Sequence, residues 1–339
     1  MPGEFGGGII EINTKAVPSE RILDLSFSSG FNSETSLSDG LLYDGGDDDD
    51  LGYDDGTRDF PSFVQRAING NQKLDRSNFK TYQLANAGRE FVNSELWVIQ
   101  EGDVPLDNSV SFTYGDELDI DIERLLDDES ATIGVLLTAG VKSSWETQEG
   151  IRQTGDIQAQ GDGTSIVIRG NDKTFKSTSN NVTSYLMAVA GIETDSAELK
   201  YTGMYIHKGT KEARTLQGYD TSDSGDVRED FTEFFERELI NHQLNYNYLF
   251  QNDIQLDVRL AGGDASRYAP YERVVFYEDT DDRGFWRYDV NTGRNQTQFS
   301  YVNDDNENFG LDLTFPLQLG DQEVIIKTGF DQSNNYRDA

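Results

Sequence analysis

The chain has 339 residues, no cysteine, and 62 acidic against 28 basic side chains, a formal net charge of −34. Disulfides and thiolate metal sites are therefore excluded, and nucleic acid is repelled, because its binding rests on neutralising phosphates. Only 35% of residues are hydrophobic, yet 16 Tyr, 19 Phe and 33 Gly with 6 Pro fit an all-β protein better than a solvated coil.

No run of 18 apolar residues occurs, so no transmembrane helix is expected. No charged-then-apolar leader is present either, which leads to the expectation that Met1 is internal to a longer protein. The first stretch, "PGEFGGGIIEINTK" from Pro2 to Lys15, runs three glycines into a short alternation that stops on a lysine. A phosphate loop would need G-x-x-x-x-G-K-[ST] between a strand and a helix, and this stretch has neither the lysine position nor the helix.

Beyond Lys15, period-two alternation dominates, in segments of membrane-strand length. From Arg21, Leu23, Leu25, Phe27 and Phe31 alternate with Asp24, Ser26, Ser28 and Gly30. Val110, Phe112 and Tyr114 form a second set, and Ile133, Val135, Leu137, Ala139 and Val141 a third. Ser184–Thr194 and Ala197–His207 read as a less regular pair around Asp195-Ser196. Ile240, His242, Leu244, Tyr246, Tyr248 and Phe250 alternate with Asn241, Gln243, Asn245 and Asn247. After Gln251-Asn252-Asp253, Ile254, Leu256, Val258 and Leu260 alternate with Gln255, Asp257 and Arg259. Phe309 to Leu319 and, past Gly320-Asp321-Gln322, Val324, Ile326 and Phe330 complete nine strands.

Connections after strands two, four, six and eight are short, about two to eight residues. Those after strands one, three, five and seven run for about 30 to 70 residues, far beyond the norm of a compact domain. Short turns at one end and long loops at the other predict an antiparallel transmembrane β-barrel with extracellular loops and periplasmic turns. A soluble β-sandwich also alternates. Its core, however, would leave Asn241, Gln243, Asn245 and Asn247 unsatisfied, whereas a wet lumen hydrates them. Closed bacterial barrels normally have an even number of strands, so nine reads as part of a larger one.

Few groups suggest chemistry. "GGDDDDLGYDDGTRDFP", Gly45 to Pro61, offers Asp47, Asp48, Asp49, Asp50, Asp54 and Asp55 as oxygen ligands for Ca²⁺. It lacks the EF-hand spacing, and the alternative is a solvated acidic loop. His207 and His242 lie far apart, and no G-x-S-x-G or H-E-x-x-H occurs, so no enzyme activity and no cofactor is expected. In "YAPYERVVFYEDTDDRGFWRYD", Tyr268, Tyr271, Phe276, Tyr277, Phe285, Trp286 and Arg287 could stack on and hydrogen-bond a small solute. The alternative is a loop packed on its neighbours.

In the opening stretch, Gly6, Gly7, Gly8, Ile10, Ile12, Thr14 and Lys15 stand on a Gly-rich turn and a G-G-x-I-x-I-x-T-[KR] strand. That pattern closes the plug domain of TonB-dependent outer-membrane receptors, which the chain resembles. "VPSERILDLSFSSGFNSETS" is similar to that family's first barrel strand, "LGYDDGTRDFP" to a first-loop motif, and "NSVSFTYGDELDI" with "ATIGVLLTAGVKSSWETQ" to its second and third strands. The resemblance implies the end of a plug over 1–17 and the N-terminal part of a barrel over 18–339. It further implies energised uptake of a scarce solute such as a siderophore, a cobalamin or an oligosaccharide across a Gram-negative outer membrane. The implied partners are the TonB–ExbB–ExbD complex, outer-membrane lipid with lipopolysaccharide, and a small solute. Alternatives are a passive porin or adhesive barrel, or a secreted soluble β-protein that binds Ca²⁺ or carbohydrate.

Overall fold

The computed structural model describes residues 18, 20–91, 93–121, 130–159, 165–223, 225–279, 285–290, 293–319 and 322–339. The Gly6–Lys15 motif and the 122–129 connection lie outside them. In chain order the elements are β1 (Ile22–Gly30), β2 (Asp39–Leu42), α1 (Ser62–Asn69), α2 (Thr81–Glu90), β3 (Gln100–Asp103), β4 (Asp107–Asp121) and β5 (Ser130–Ala159). They continue with β6 (Ser165–Glu193), β7 (Ala197–Asp220), β8 (Gly225–Leu249), β9 (Gln255–Asp279), β10 (Trp286–Tyr288), β11 (Gln296–Leu319) and β12 (Gln322–Asp338).

The protein is all-β and antiparallel. One sheet runs β1-β4-β5-β6-β7-β8-β9-β11-β12, each strand bonded to the next, with β10 added to β9; β2 and β3 form a separate pair. Each of the nine alternating segments falls on one of these nine strands. β1 and β12 stand at the two edges. The turns between partners are tight where their sequences say so. Thr194 N–H donates to Ala197 O at 2.8 Å. Asp253 takes φ +59°, one of the few side chains that tolerate it, and its N–H donates to Phe250 O at 2.9 Å.

The other end differs from expectation. Lys142 pairs with Thr183, and the ladder continues to Ala159 opposite Ser165, so β5 and β6 have 30 and 29 residues. Likewise the β7–β8 ladder runs on from Lys208 opposite Arg237 to Asp220 opposite Gly225. Alternation stops near Val141 because beyond it the belt face meets the 31–106 segment through polar contacts, such as Leu41 N–H to Thr178 Oγ1, and no longer needs an apolar stripe. Backbone pairing needs no apolar stripe to continue. Among the described residues only 31–106 is a long connection outside the main sheet, and it carries α1, α2, β2 and β3.

Side chains two apart share a face, so register assigns every strand. One face carries Leu25, Phe112, Ala139, Leu186 and Tyr205 in a single row, and Val258, Tyr246, Leu199, Ile192 and Ile133 in another. Its apolar side chains stay open: Leu23 is 71% and Phe27 75% exposed. The opposite face carries Ser111, Asn241, Gln243, Asn245, Asp257, Arg259 and Asp312.

The apolar belt is oblique to the rows. Traced from Leu25 through one strand after another, the row ends at Asp305 and Tyr336. The apolar stretch of β12 instead spans Val324 to Phe330, well short of Tyr336. Over eight strand steps the belt is thus displaced by about nine residues. With a rise of ~3.3 Å per residue and a strand spacing of ~4.8 Å, it crosses the rows at about 40°.

The 31–106 segment packs on the same face as the belt but nearer the hairpin tips, against Tyr205, His207, Gly209, Lys211 and Ala213 of β7. Leu41, Tyr43 and Ala213 form the one buried apolar cluster among the described residues, with Ile99 against it. Leu41 N–H donates to Thr178 Oγ1 at 3.0 Å, and Thr232 Oγ1 donates to Leu96 O at 2.9 Å.

Candidate functional site

Two places concentrate polar chemistry: the seam where 31–106 meets the sheet, and the polar face behind it. The seam absorbs much of the acidic run. Arg58, buried, donates Nη1 to Asp49 Oδ1 at 2.7 Å and Nη2 to Asp49 Oδ2 at 2.6 Å, while Nη1 also reaches Asp54 Oδ1 at 3.0 Å. Lys211 adds a contact to Asp49 at 2.9 Å and donates to Asp44 O at 2.6 Å. The Arg58 guanidinium also lies 4.3 Å from the Phe234 ring centre. Burial works against the Arg58 charge, but the Asp49 hydrogen bonds outweigh it and hold its pKa above the usual value.

Of the six aspartates that the sequence offers to Ca²⁺, Asp49 and Asp54 thus serve a guanidinium. Burial raises the Asp54 carboxyl above its usual range. Asp55 is exposed, and the hydroxyl and N–H of Thr57 bring it down to about 2. Asp47 donates its N–H to Asp55 Oδ2 at 2.8 Å. Among the described residues no group of three or more His, Asp or Glu side chains is arranged to hold a metal.

Beside this knot Tyr53 stacks on His207, ring centres 3.8 Å apart at 9°, and His207 Nε2 lies 3.1 Å from Glu236 Oε2. The Asp54 N–H donates to the same carboxylate. His242 lies on the apolar belt, its Nδ1 2.7 Å from Tyr201 Oη. The two histidines therefore sit apart on one face.

The seven aromatic-loop candidates do not share one surface. Tyr268 sits opposite Glu236 on the seam face. Tyr271, at φ +57°, is buried; its hydroxyl donates to Phe91 O and its ring stands edge-on to Phe299. Phe276 and Tyr277 are consecutive on β9 and so point to opposite faces. Tyr277 meets Tyr288 edge-on, and Arg228 lies 5.9 Å from its ring. Trp286 and Arg287 pair with Asp279 and Glu278 in the β9–β10 hairpin; Phe285 is exposed.

Phe276 lines a recess of about 340 Å³ at the tips of the polar face, with Lys173, Asp220 and Glu229. Lys173 is ion-paired to Asp220 at 2.8 Å. Between this recess and the level of the belt, Glu212 and Glu233 are direct cross-strand partners. Burial, then the Glu212 and Glu272 charges, push Glu233 up to about 7. Toward the turns, Arg259 spans strands to Asp312 at 2.6 Å and Asp331 at 3.7 Å, and Gln243 Nε2 donates to Asn241 Oδ1 at 3.0 Å. The polar face is hydrogen-bonding surface with a water-compatible composition.

Apart from the D-x-x-x-R spacing of Asp54 and Arg58, no local pattern in the chain announces the seam. Asp49 with Lys211, and Tyr53 with His207, each join the first loop to a strand far along the chain. Compared with protein-family models and with curated proteins, the chain matches none.

Proposed function

We propose that the nine paired strands are part of the wall of an outer-membrane β-barrel, in a receptor of the TonB-dependent kind that takes up a scarce solute. The observation that carries this reading is the oblique apolar belt backed by a polar face. A water-soluble sandwich buries its apolar face, whereas here that face stays open across nine consecutive strands. A tilt of about 40° also falls in the range of membrane barrels, roughly 35–45°. In this reading the belt meets lipid, the amide- and charge-rich face lines the lumen, and the tight turns lie on the periplasmic side. The 31–106 segment then clasps the outside of the wall above the lipid and leaves the lumen open to solute.

The receptor assignment rests on the Gly6–Lys15 motif, and the solute-binding surfaces choose among iron chelates, cobalamins and oligosaccharides. Folding is tested by refolding the chain into detergent and lipid vesicles and measuring the heat-dependent shift of its electrophoretic mobility. A chain that folds and stays monomeric in plain buffer overturns the barrel. Energised uptake is tested in the source cell. Disrupting the gene should abolish uptake of one solute class, and removing the energising complex should abolish the same uptake. Uptake that survives without that complex would make the protein a passive channel.

A further inference from the structure

On the polar face three cations stand in one cross-strand row: Lys208 pairs with Arg237, and Arg237 pairs with Arg267. Thr183 precedes the row on β6, and Val302 continues it on β11. Like charges directly opposite on adjacent strands lie about 5 Å apart at Cβ and destabilise a sheet. In a chain with 62 acids and 28 bases, such a row runs against the composition.

The acids nearby do not neutralise all three. Asp304 is clasped by Arg337 at 2.5 and 2.6 Å. Glu238 belongs to the other face, where its carboxylate accepts from Tyr205 Oη at 3.2 Å. Lys208 makes no ion pair among the described residues. Phe235 also lies against two of the cations, with Arg237 4.8 Å and Arg267 5.1 Å from its ring centre, and Arg267 Nη1 donates to Ser300 Oγ at 3.0 Å. The row borders a recess of about 330 Å³ whose apolar wall includes Ile206, Leu239, Ala265 and Val302. That volume is at the lower end of small-molecule sites.

We propose that the Lys208–Arg237–Arg267 row binds an organic anion with an apolar body, an aromatic or branched carboxylate. The carboxylate accepts from the Lys208 ammonium and the guanidiniums, and the hydrocarbon lies on Ile206, Leu239 and Val302. This narrows the solute class and rests on the reading of the polar face as lumenal. The ligand relieves the repulsion within the row, above all at Lys208, which the wall leaves without a carboxylate.

The test is calorimetric titration of the refolded full chain with naphthalene-2-carboxylate and, in parallel, its neutral carboxamide, against protein-free detergent. The carboxylate should bind at least about tenfold more tightly than the amide, as expected for charge-assisted hydrogen bonds. Lys208→Gln and Arg267→Gln should each weaken it about tenfold, while Lys176→Gln, which removes an equal charge elsewhere, leaves it unchanged. Equal binding of carboxylate and amide, no binding, or equal loss in Lys176→Gln overturns the proposal. Far-UV circular dichroism confirms that each variant folds. Should the chain prove soluble without detergent, the same titration runs in buffer, so loss of the barrel reading and loss of the anion site are told apart.

Discussion

Gly52 lies directly on Gly209, backbone against backbone, and a Cβ on Gly209 would collide with the Gly52 main chain. Gly52 itself takes φ +83°, a conformation that suits glycine. This contact lets the 31–106 segment sit flush on β7, so that Tyr53 reaches His207 and Asp49 reaches Lys211.

Gly209→Ala should therefore lift the segment from the sheet at a cost of about 1–3 kcal/mol, typical of forced overpacking. Limited proteolysis would show faster cleavage within 62–90. Gly88→Ala is the control: no atom lies within 4 Å of its added Cβ, and in the interior of α2 it should stabilise by about 0.5–1 kcal/mol. Equal protease resistance of Gly209→Ala and the parent chain would remove the flush contact as an anchor.

Arg58 and Asp49 are 1% and 3% exposed, so each is the other's solvation. Arg58→Met leaves Asp49 with only Lys211 and the Gly46 N–H, both on Oδ2, and should destabilise the docked segment by about 3–5 kcal/mol. Pairing it with Asp49→Leu should recover most of that loss, because both buried charges then disappear. Urea titration with Trp97 fluorescence as the signal reads the docking. A double variant no better than the single one would count against the pair as the source of the cost.

Glu233 binds a proton more tightly in the folded chain, at about 7, than a free carboxyl at its ordinary value of 4.5. Its contribution to stability is complete below about 4.5 and is lost as pH rises through about 7, because the folded state holds the extra proton in that window. Glu233→Gln should flatten this part of the thermal-midpoint profile between about pH 4.5 and 7.5. Parallel profiles for the variant and the parent would show that another group titrates there.

The two sheet faces should respond oppositely to the same change. Leu244→Arg places a charge on the belt and should cost roughly 2–4 kcal/mol on folding into lipid vesicles, the midplane value for barrels. Asn245→Arg, one residue along and on the polar face, should fold with little loss. Folding yield and urea midpoints in vesicles decide it, and similar losses for both would assign neither face to lipid.

Much of the sheet is legible in the sequence because alternation is local. A strand with one apolar and one wet face writes its period over a handful of residues, and all nine such segments lie on the nine strands. The strand lengths are not legible. Beyond Val141 and His207 both faces are polar, and a stretch such as "KSSWETQE" reads the same as loop or paired strand. Its partner across the hairpin settles the matter through backbone hydrogen bonds that no side-chain pattern records. The helices escape notice for a related reason: α1 and α2 are short, and their buried faces amount to Val64, Ala67 and Ala87.

The candidate sites divide in the same way. The aspartate run is visible at once, but its partner Lys211 stands on a strand far along the chain. Consecutive Phe276 and Tyr277 read as one aromatic surface until β9 turns them to opposite faces. The Lys208–Arg237–Arg267 row exists only through register, since each cation alone is an ordinary residue on its own strand.

The all-β class, the nine strands, their tight turns and the side chains that share a face can all be read from the residues alone. Each follows from chirality and a two-residue period acting within one segment. How far the hairpins extend, where 31–106 docks and which charges meet are settled only in the folded chain. Those depend on pairing between distant segments, where a shift of one residue would turn every side chain to the other face.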